Sequence, residues 1–330
     1  MVRPFEWGLD WVPTASAASD SAEAPSAALG RWVSEVMTDT DAFYAPSPTS
    51  DYVLEPAQAN GERLLVFPSA FTTPHPENNV VYCRYVPASP TRRARRHRPA
   101  VLVLPQWNSD EGGHLGLSRL LATNGLTALR LSLPYHDRRM PPELHRADYI
   151  VSANIARTLQ VCRQAVLDAR RAIAWLHARG FDRIGILGSS LGSCLALLTT
   201  AHEPLIRAQA LNHISPYFAD VVWRGLSTEH VRAGLNGHIE LDLLRTLWAP
   251  ISPRWYLKRL RDRTTLLVYA RYDLTFPVDL SEDLVREFRD LEVPHELTVL
   301  RCGHYSTGKA PFKFVDGFVL TQFLRRALAA

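Results

Sequence analysis

The pentapeptide Gly188-Ser189-Ser190-Leu191-Gly192 constrains what this chain can fold into more than any other feature. It stands directly after a strand-like run at 183–187 and directly before a helical run at 191–200. A backbone that passes from strand to helix in so few residues turns sharply and leaves its central residue strained. Glycines two before and two after Ser190 remove side chains that would collide inside such a turn. The serine hydroxyl then projects above the sheet, beside a helix N-terminus whose field favours a developing oxyanion. The blander use of this spacing is a tight-packing turn. Ser189 is the rival serine, but it lacks glycines at the required offsets. The motif therefore predicts a nucleophile at Ser190, with the backbone N–H of Leu191 as one oxyanion donor.

The pattern around the motif supplies the sheet. Short apolar runs at 100–104, 126–133, 183–187, 208–212, 264–270 and 296–300 read as strands. Helical patterns at 115–123, 149–178, 191–200, 280–291 and 312–328 alternate with them. The longest carries Val151, Ile155, Leu159, Cys162, Val166, Ala169, Ile173 and Leu176 at spacings of 3 and 4, with Gly180 placed as its stop. Such alternation predicts an α/β fold, a mostly parallel central sheet flanked by helices. Residues 215–262 break the alternation with short Trp-, Arg- and Leu-rich pieces and are expected to be an inserted helical cap. Twelve of the 23 prolines precede residue 100, so that part is expected to be loop-rich. Residues 1–60 are assigned to a partly looped N-terminal extension, and 61–330 to one domain that includes the cap. Runs at 63–67 and 80–86 are expected to pair antiparallel.

A serine nucleophile needs a base, and the base an orienting acid. Asp273 lies just past the run 264–270, and His304 just past 296–300, so both fall on the same rim as Ser190 and in the order Ser, Asp, His. Asp273 also has a turn-capping reading, and most of the 12 histidines are surface residues on base rates. The second oxyanion donor is expected in the loop after 100–104, from the N–H of Gln106 or Trp107. The polar stretch Pro134-Tyr135-His136-Asp137-Arg138-Arg139 sits on this rim, so His136, Asp137 and Arg138 are substrate-contact candidates. His213, just past 208–212, is placed to line the pocket. His114 and His238 are weaker candidates. Eight large apolar cap residues, Trp223, Leu226, Leu243, Leu244, Leu247, Trp248, Trp255 and Tyr256, suit either an acyl pocket or the cap's own core, the second being favoured.

On these residues, 100–330 resembles the α/β-hydrolase superfamily of serine esterases and lipases. The Pro-Tyr-His-Asp-Arg-Arg loop, the helix at 149–178 and the Gly-Ser-Ser-Leu-Gly motif are also similar to the α/β-hydrolase domain-containing 18 type. The resemblance implies a cofactor-free serine hydrolase of esters, thioesters or amides, with a small-molecule acyl substrate entering under the cap. The superfamily's familiar His-Gly oxyanion loop is absent at Gln106-Trp107. An acyltransferase with the same triad and a non-catalytic binding module are the alternatives.

Charge and composition narrow the rest. The formal net charge is +4, from 37 basic and 33 acidic residues. Five of the arginines lie in Arg92-Arg93-Ala94-Arg95-Arg96-His97-Arg98; without them the balance is 32 against 33. The basic excess is therefore local, and nucleic acid is not an expected partner. A solvated turn is the favoured reading of that stretch, with peripheral contact to anionic lipid as the alternative. Cys83, Cys162, Cys194 and Cys302 are widely spaced, which suggests free thiols in a reducing compartment, and a cytoplasmic location is expected. No secretory leader, membrane span, phosphate loop or metal-binding motif is read, and no metal is expected.

Overall fold

The computed structural model describes residues 2–13, 23–88 and 97–329. Nine strands form one sheet in the order β1-β2-β3-β5-β4-β6-β7-β8-β9. They are β1 (Val53–Leu54), β2 (Arg63–Pro68), β3 (Val80–Val86), β4 (Pro99–Leu104), β5 (Thr127–Leu131), β6 (Arg183–Ser189), β7 (Ile206–Asn212), β8 (Thr264–Ala270) and β9 (His295–Leu300). β1, β2 and β3 pair antiparallel, and β3 meets β5 antiparallel. From β5 through β9 every pairing is parallel. The C-terminal ends of β4 to β9 therefore share one rim.

Both faces of the sheet are covered, and the strands show it in their alternation. On β4, Ala100, Leu102 and Leu104 join one apolar core, while Val101 and Val103 join the other. The helices are α1 (Pro25–Thr38), α2 (Thr40–Phe43), α3 (Leu115–Thr123), α4 (Ile155–Ala178), α5 (Leu191–His202), α6 (Phe218–Arg224), α7 (Glu229–Leu235), α8 (Leu241–Leu247), α9 (Val278–Asp290) and α10 (Phe312–Ala327). The larger core draws on α1, α4, α5, α9 and residues 218–260; the smaller draws on α3 and α10.

The long helix starts at Ile155, six residues later than the expected boundary of 149. The Asn154 side chain accepts the Arg157 N–H and caps the first turn. Asn154 also pairs with Glu6 through a short backbone bridge, which holds 149–154 outside the helix. At the other end Gly180 adopts a positive φ of 81°. The N–H groups of Gly180 and Phe181 then close on the carbonyls of His177 and Leu176, satisfying the last turn.

Described residues from the first 60 pack into the main body. Leu29, Trp32, Val33 and Tyr44 are buried in the larger core, and Tyr44 donates its hydroxyl to Pro250 O at 2.8 Å. Of the basic stretch, Arg92 to Arg96 lie outside the described residues. His97 and the backbone of Arg98 both bond to Asp182. The four cysteines are buried and unpaired. No described helix is long and apolar enough to cross a membrane.

Candidate active site

The elbow is built by close approach of backbone. A Cβ on Gly188 would lie 2.1 Å from the carbonyl oxygen of Gly192, and one on Gly192 would lie 2.3 Å from that of Leu104 and 2.4 Å from that of Pro105. The two glycines thus let the β6–α5 turn close on itself and press against the loop after β4. Between them Ser190 takes φ 55° and ψ −121°, a conformation that L-residues avoid. Its N–H donates to Asn212 O at 2.7 Å. Ser193 Oγ lies 2.6 Å from Ser190 O and 2.7 Å from His213 O, and its one proton serves one of them at a time. Leu191 is the first residue of α5, where a helical N–H has no acceptor within its own helix.

Ser190, Leu191, Gln106, Trp107, His213 and His304 all line one cavity of about 950 Å³. Asp273 lies behind it, at the C-terminal end of β8, with its side chain almost fully buried. Its Oδ1 accepts the N–H groups of Thr275 and Phe276, each at 2.8 Å. Its Oδ2 lies 2.8 Å from His304 Nδ1 and 3.0 Å from His213 Nδ1. Burial alone would raise the carboxyl. The hydrogen bonds from His213 and His304 outweigh it and hold Asp273 well below the usual carboxylate range. Burial pushes the His213 imidazole down, although its bond to Asp273 opposes the shift. These three side chains also place potential ligand atoms within 4.8 Å of one another. Both imidazole Nδ1 atoms stand within hydrogen-bond distance of one carboxylate oxygen, Asp273 Oδ2.

Three hydrogen bonds brace the loop after β4. The Trp107 indole donates to Ala147 O at 2.8 Å, and Asn108 Oδ1 accepts the Ala147 N–H at 2.9 Å. The Asn108 N–H donates to His136 Nε2 at 3.0 Å. His136 is fully buried, and its Nδ1 donates to Pro134 O at 2.8 Å. Burial lowers it to about 4, so it is the neutral tautomer that holds the loop.

That finding corrects the sequence expectation for the neighbouring polar stretch. His136, Asp137 and Arg138 do not line the cavity that holds Ser190. His136 supports the loop from behind. Asp137 pairs at 2.6 Å with Arg130 inside the protein, and Arg138 is exposed and pairs with Glu111. Arg139, also from this stretch, is fully buried against Asp168 at 2.8 Å. The polarity that marked the stretch in sequence is used for internal pairing. His213 does line the cavity, and its bond to Asp273 was not foreseen. The signal available in sequence was its position at a strand end, the same signal that marked Asp273 and His304.

The remaining wall comes from two directions. Tyr217, Phe218, Val221 and Val222 form an apolar side. None of the eight large apolar cap residues singled out in sequence reaches the cavity; Leu244, Leu247, Trp248 and Tyr256 are buried as packing, and Trp255 is exposed. On the other side stand His114, Ser189, Asn212 and Asp316. His114 Nε2 lies 2.8 Å from Ser189 Oγ, and Asn212 donates to Asp316 Oδ2 at 2.9 Å. Burial pushes the Asp316 carboxyl up to about 7.

Solved structures share this arrangement of strands and helices over most of the chain. An acetyl xylan esterase from Paenibacillus sp. R4 matches with a TM-score of 0.66 at 16% identity, covering 97% of this chain and 98% of its own. Acetyl xylan esterase 1 from Thermoanaerobacterium sp. JW/SL YS485 matches at 0.64 and 15%, covering 91% and 93%. The acylaminoacyl peptidase of Pyrococcus horikoshii matches at 0.63 and 14%, covering 85% of this chain but 42% of its own, so the chain spans about two-fifths of that protein. The chain has an α/β-hydrolase fold. At these identities the likeness is one of fold. No family model matches the chain, and no curated protein matches its sequence.

Proposed function

We propose that this α/β-hydrolase-fold chain is a serine hydrolase that cleaves a carboxylic ester, or a thioester or amide, through an acyl-enzyme on Ser190. The observation that carries the reading is the strained Ser190 in one cavity with His304, whose Nδ1 is tied to the buried carboxylate of Asp273. With Nδ1–H held by Asp273, the neutral imidazole presents Nε2 as a base. His304 takes the Ser190 proton as Oγ attacks the carbonyl carbon. The oxyanion forms against the Leu191 N–H and a second N–H from Gln106 or Trp107. His304 then protonates the leaving group, and water repeats the sequence to release the acid.

The substrate is a small ester or acyl compound, with residues 215–262 acting as a cap over the cavity. The acetyl xylan esterases, matched over nearly their whole length, favour an ester over a peptide. A fluorophosphonate probe tests the reading. Wild-type protein should label at Ser190, and Ser190→Ala should not label; equal labelling of the two sinks it.

A further inference from the structure

His213 stands in the same relation to Asp273 as His304 does, yet the mechanism above leaves it without work. Its ring lies with its centroid 4.6 Å from that of His304, and both Nδ1 atoms reach the same Oδ2. Its backbone is held at φ 59°, in the left-handed region that non-glycine residues rarely occupy. That conformation is fixed by its N–H to Val268 O at 2.8 Å and by the contact of Ser193 Oγ with its carbonyl. Its Nε2 is buried and has no partner. A strained backbone and an orphaned buried acceptor both carry a cost, and both serve to bring this one N–H to the carboxylate.

We propose that His213 is a positioning residue: by donating Nδ1–H to Asp273 Oδ2 it fixes the carboxylate for His304 and draws off part of its charge, so that His304 stays unprotonated, and able to act as a base, to lower pH than a dedicated carboxylate would allow. This rests on the hydrolase reading above for its consequence in catalysis, but the sharing of Asp273 does not. The physical argument is one of competition. A carboxylate oxygen that accepts two N–H bonds stabilises each partner less than it would stabilise one alone, and an imidazolium gains most from an unshared carboxylate. The titratable groups against the two rings are Asp273 from the loop after β8 and Tyr305, whose ring meets that of His304 edge-on; Phe276 stacks on His304 from the other side. His114, Lys313 and Asp316 line the same cavity.

Two variants separate this role from simple packing. His213→Gly removes the donor and suits the left-handed backbone. His213→Asn tolerates that backbone and keeps a side-chain N–H at the same chain position as Nδ1. The readouts are the acidic limb of kcat/KM on p-nitrophenyl acetate and the NMR titration of the His304 imidazole, which needs no turnover. In His213→Gly the limb and the titration should both move to higher pH, by about 0.5–1 unit, the size of an ordinary environmental shift. In His213→Asn both should stay at the wild-type position. Loss of activity in His213→Gly with neither curve moved overturns the proposal, as does a shift in His213→Asn equal to that in His213→Gly. It also fails if His304→Ala still labels with the fluorophosphonate while His213→Gly does not, because His213 would then be the base. Should wild-type protein neither label nor turn over, the hydrolase reading falls, and the NMR titration alone decides whether the carboxylate is shared.

Discussion

Mild acid should cost this fold stability through His136, the imidazole that stands behind the loop after β4. This imidazole is fully buried, donates from Nδ1 to Pro134 O and accepts the Asn108 N–H at Nε2. A second proton would set two donors against each other and cut the bond to the loop. The unfolded chain takes up that proton as pH falls through about 6.5, whereas in the folded chain burial delays it to about 4. Between these values the unfolded state binds more protons, so stability declines as pH falls. The full gap of about 2.5 units corresponds to about 3 kcal/mol, and about 2 kcal/mol of it is lost by pH 5. Against a typical total of about 5–15 kcal/mol that is a large share. Burial lowers His114 and His202 to about 4 as well, and Asp316, raised to about 7, pulls the other way, so the wild-type slope is a sum. Asp273 adds nothing in this window, because its depressed carboxyl loses its contribution only in stronger acid. The assay is the urea midpoint between pH 7.5 and 5, run on wild type and on His136→Gln, with imidazole NMR to follow the ring itself. The variant should be less stable at pH 7.5 but fall less steeply. A His136 ring that titrates near 6.5 in the folded protein, or identical slopes for the two proteins, would refute the reasoning.

Three further outcomes follow from other contacts. Gly192→Ala sets a methyl 2.3 Å from Leu104 O, so it should cost about 1–3 kcal/mol in thermal stability and abolish Ser190 labelling in the folded fraction; unchanged labelling would show that the elbow tolerates the shift. Asp316→Asn replaces a carboxyl whose pKa burial raises to about 7, and such a group weakens the fold as pH rises from its ordinary value of 3.8 to about 7. The variant should therefore gain on wild type by up to about 4 kcal/mol at pH 8.5, by less than half of that at pH 5 and by little below pH 4, read by thermal melts. Arg139→Met leaves Asp168 buried without its cation and should cost about 3–5 kcal/mol, while Arg139→Met with Asp168→Leu should recover most of it in urea unfolding.

Much of this was written in the sequence because it depends on local patterns. The glycine spacing at 188 and 192 and the 3–4 stripe of α4 are demands of backbone geometry, and each appears in the structure near its expected position. Ser190, Asp273 and His304 were legible as strand-end residues because parallel strands send every C-terminal end to one rim. What failed is what depends on contacts between distant segments. Nothing near residue 149 announces that Glu6 will bridge Asn154 and delay the helix. His136 looked like a rim residue, and it is one, but the buried partners at Pro134 and Asn108 turn it inward. The polar stretch 135–139 illustrates the general difficulty: a buried ion pair and a solvated loop use the same residue types, and only the partner, here Asp168 or Arg130, tells them apart.

The distribution of backbone strain gives an independent view of where this molecule has been shaped for chemistry. Among the described residues seven non-glycines have positive φ: Asn108, His114, Tyr135, Asp137, Ser190, His213 and Glu292. All but Glu292 lie in the segments that leave β4, β5, β6 and β7 at the rim that carries Ser190. Each conformation costs about 1–3 kcal/mol and persists only where its neighbours hold it. The holding contacts are visible. The Ser190 N–H is fixed to Asn212, His213 to Val268, Asn108 to His136, and Asp137 to Arg130. Three of these contacts join the end of one strand to the next, from β5 to β4, from β6 to β7 and from β7 to β8, and the fourth lies within the β5 segment. The proposed hydrolase would aim one hydroxyl, two backbone N–H groups and one imidazole at the same carbonyl, and such a site needs rigidity.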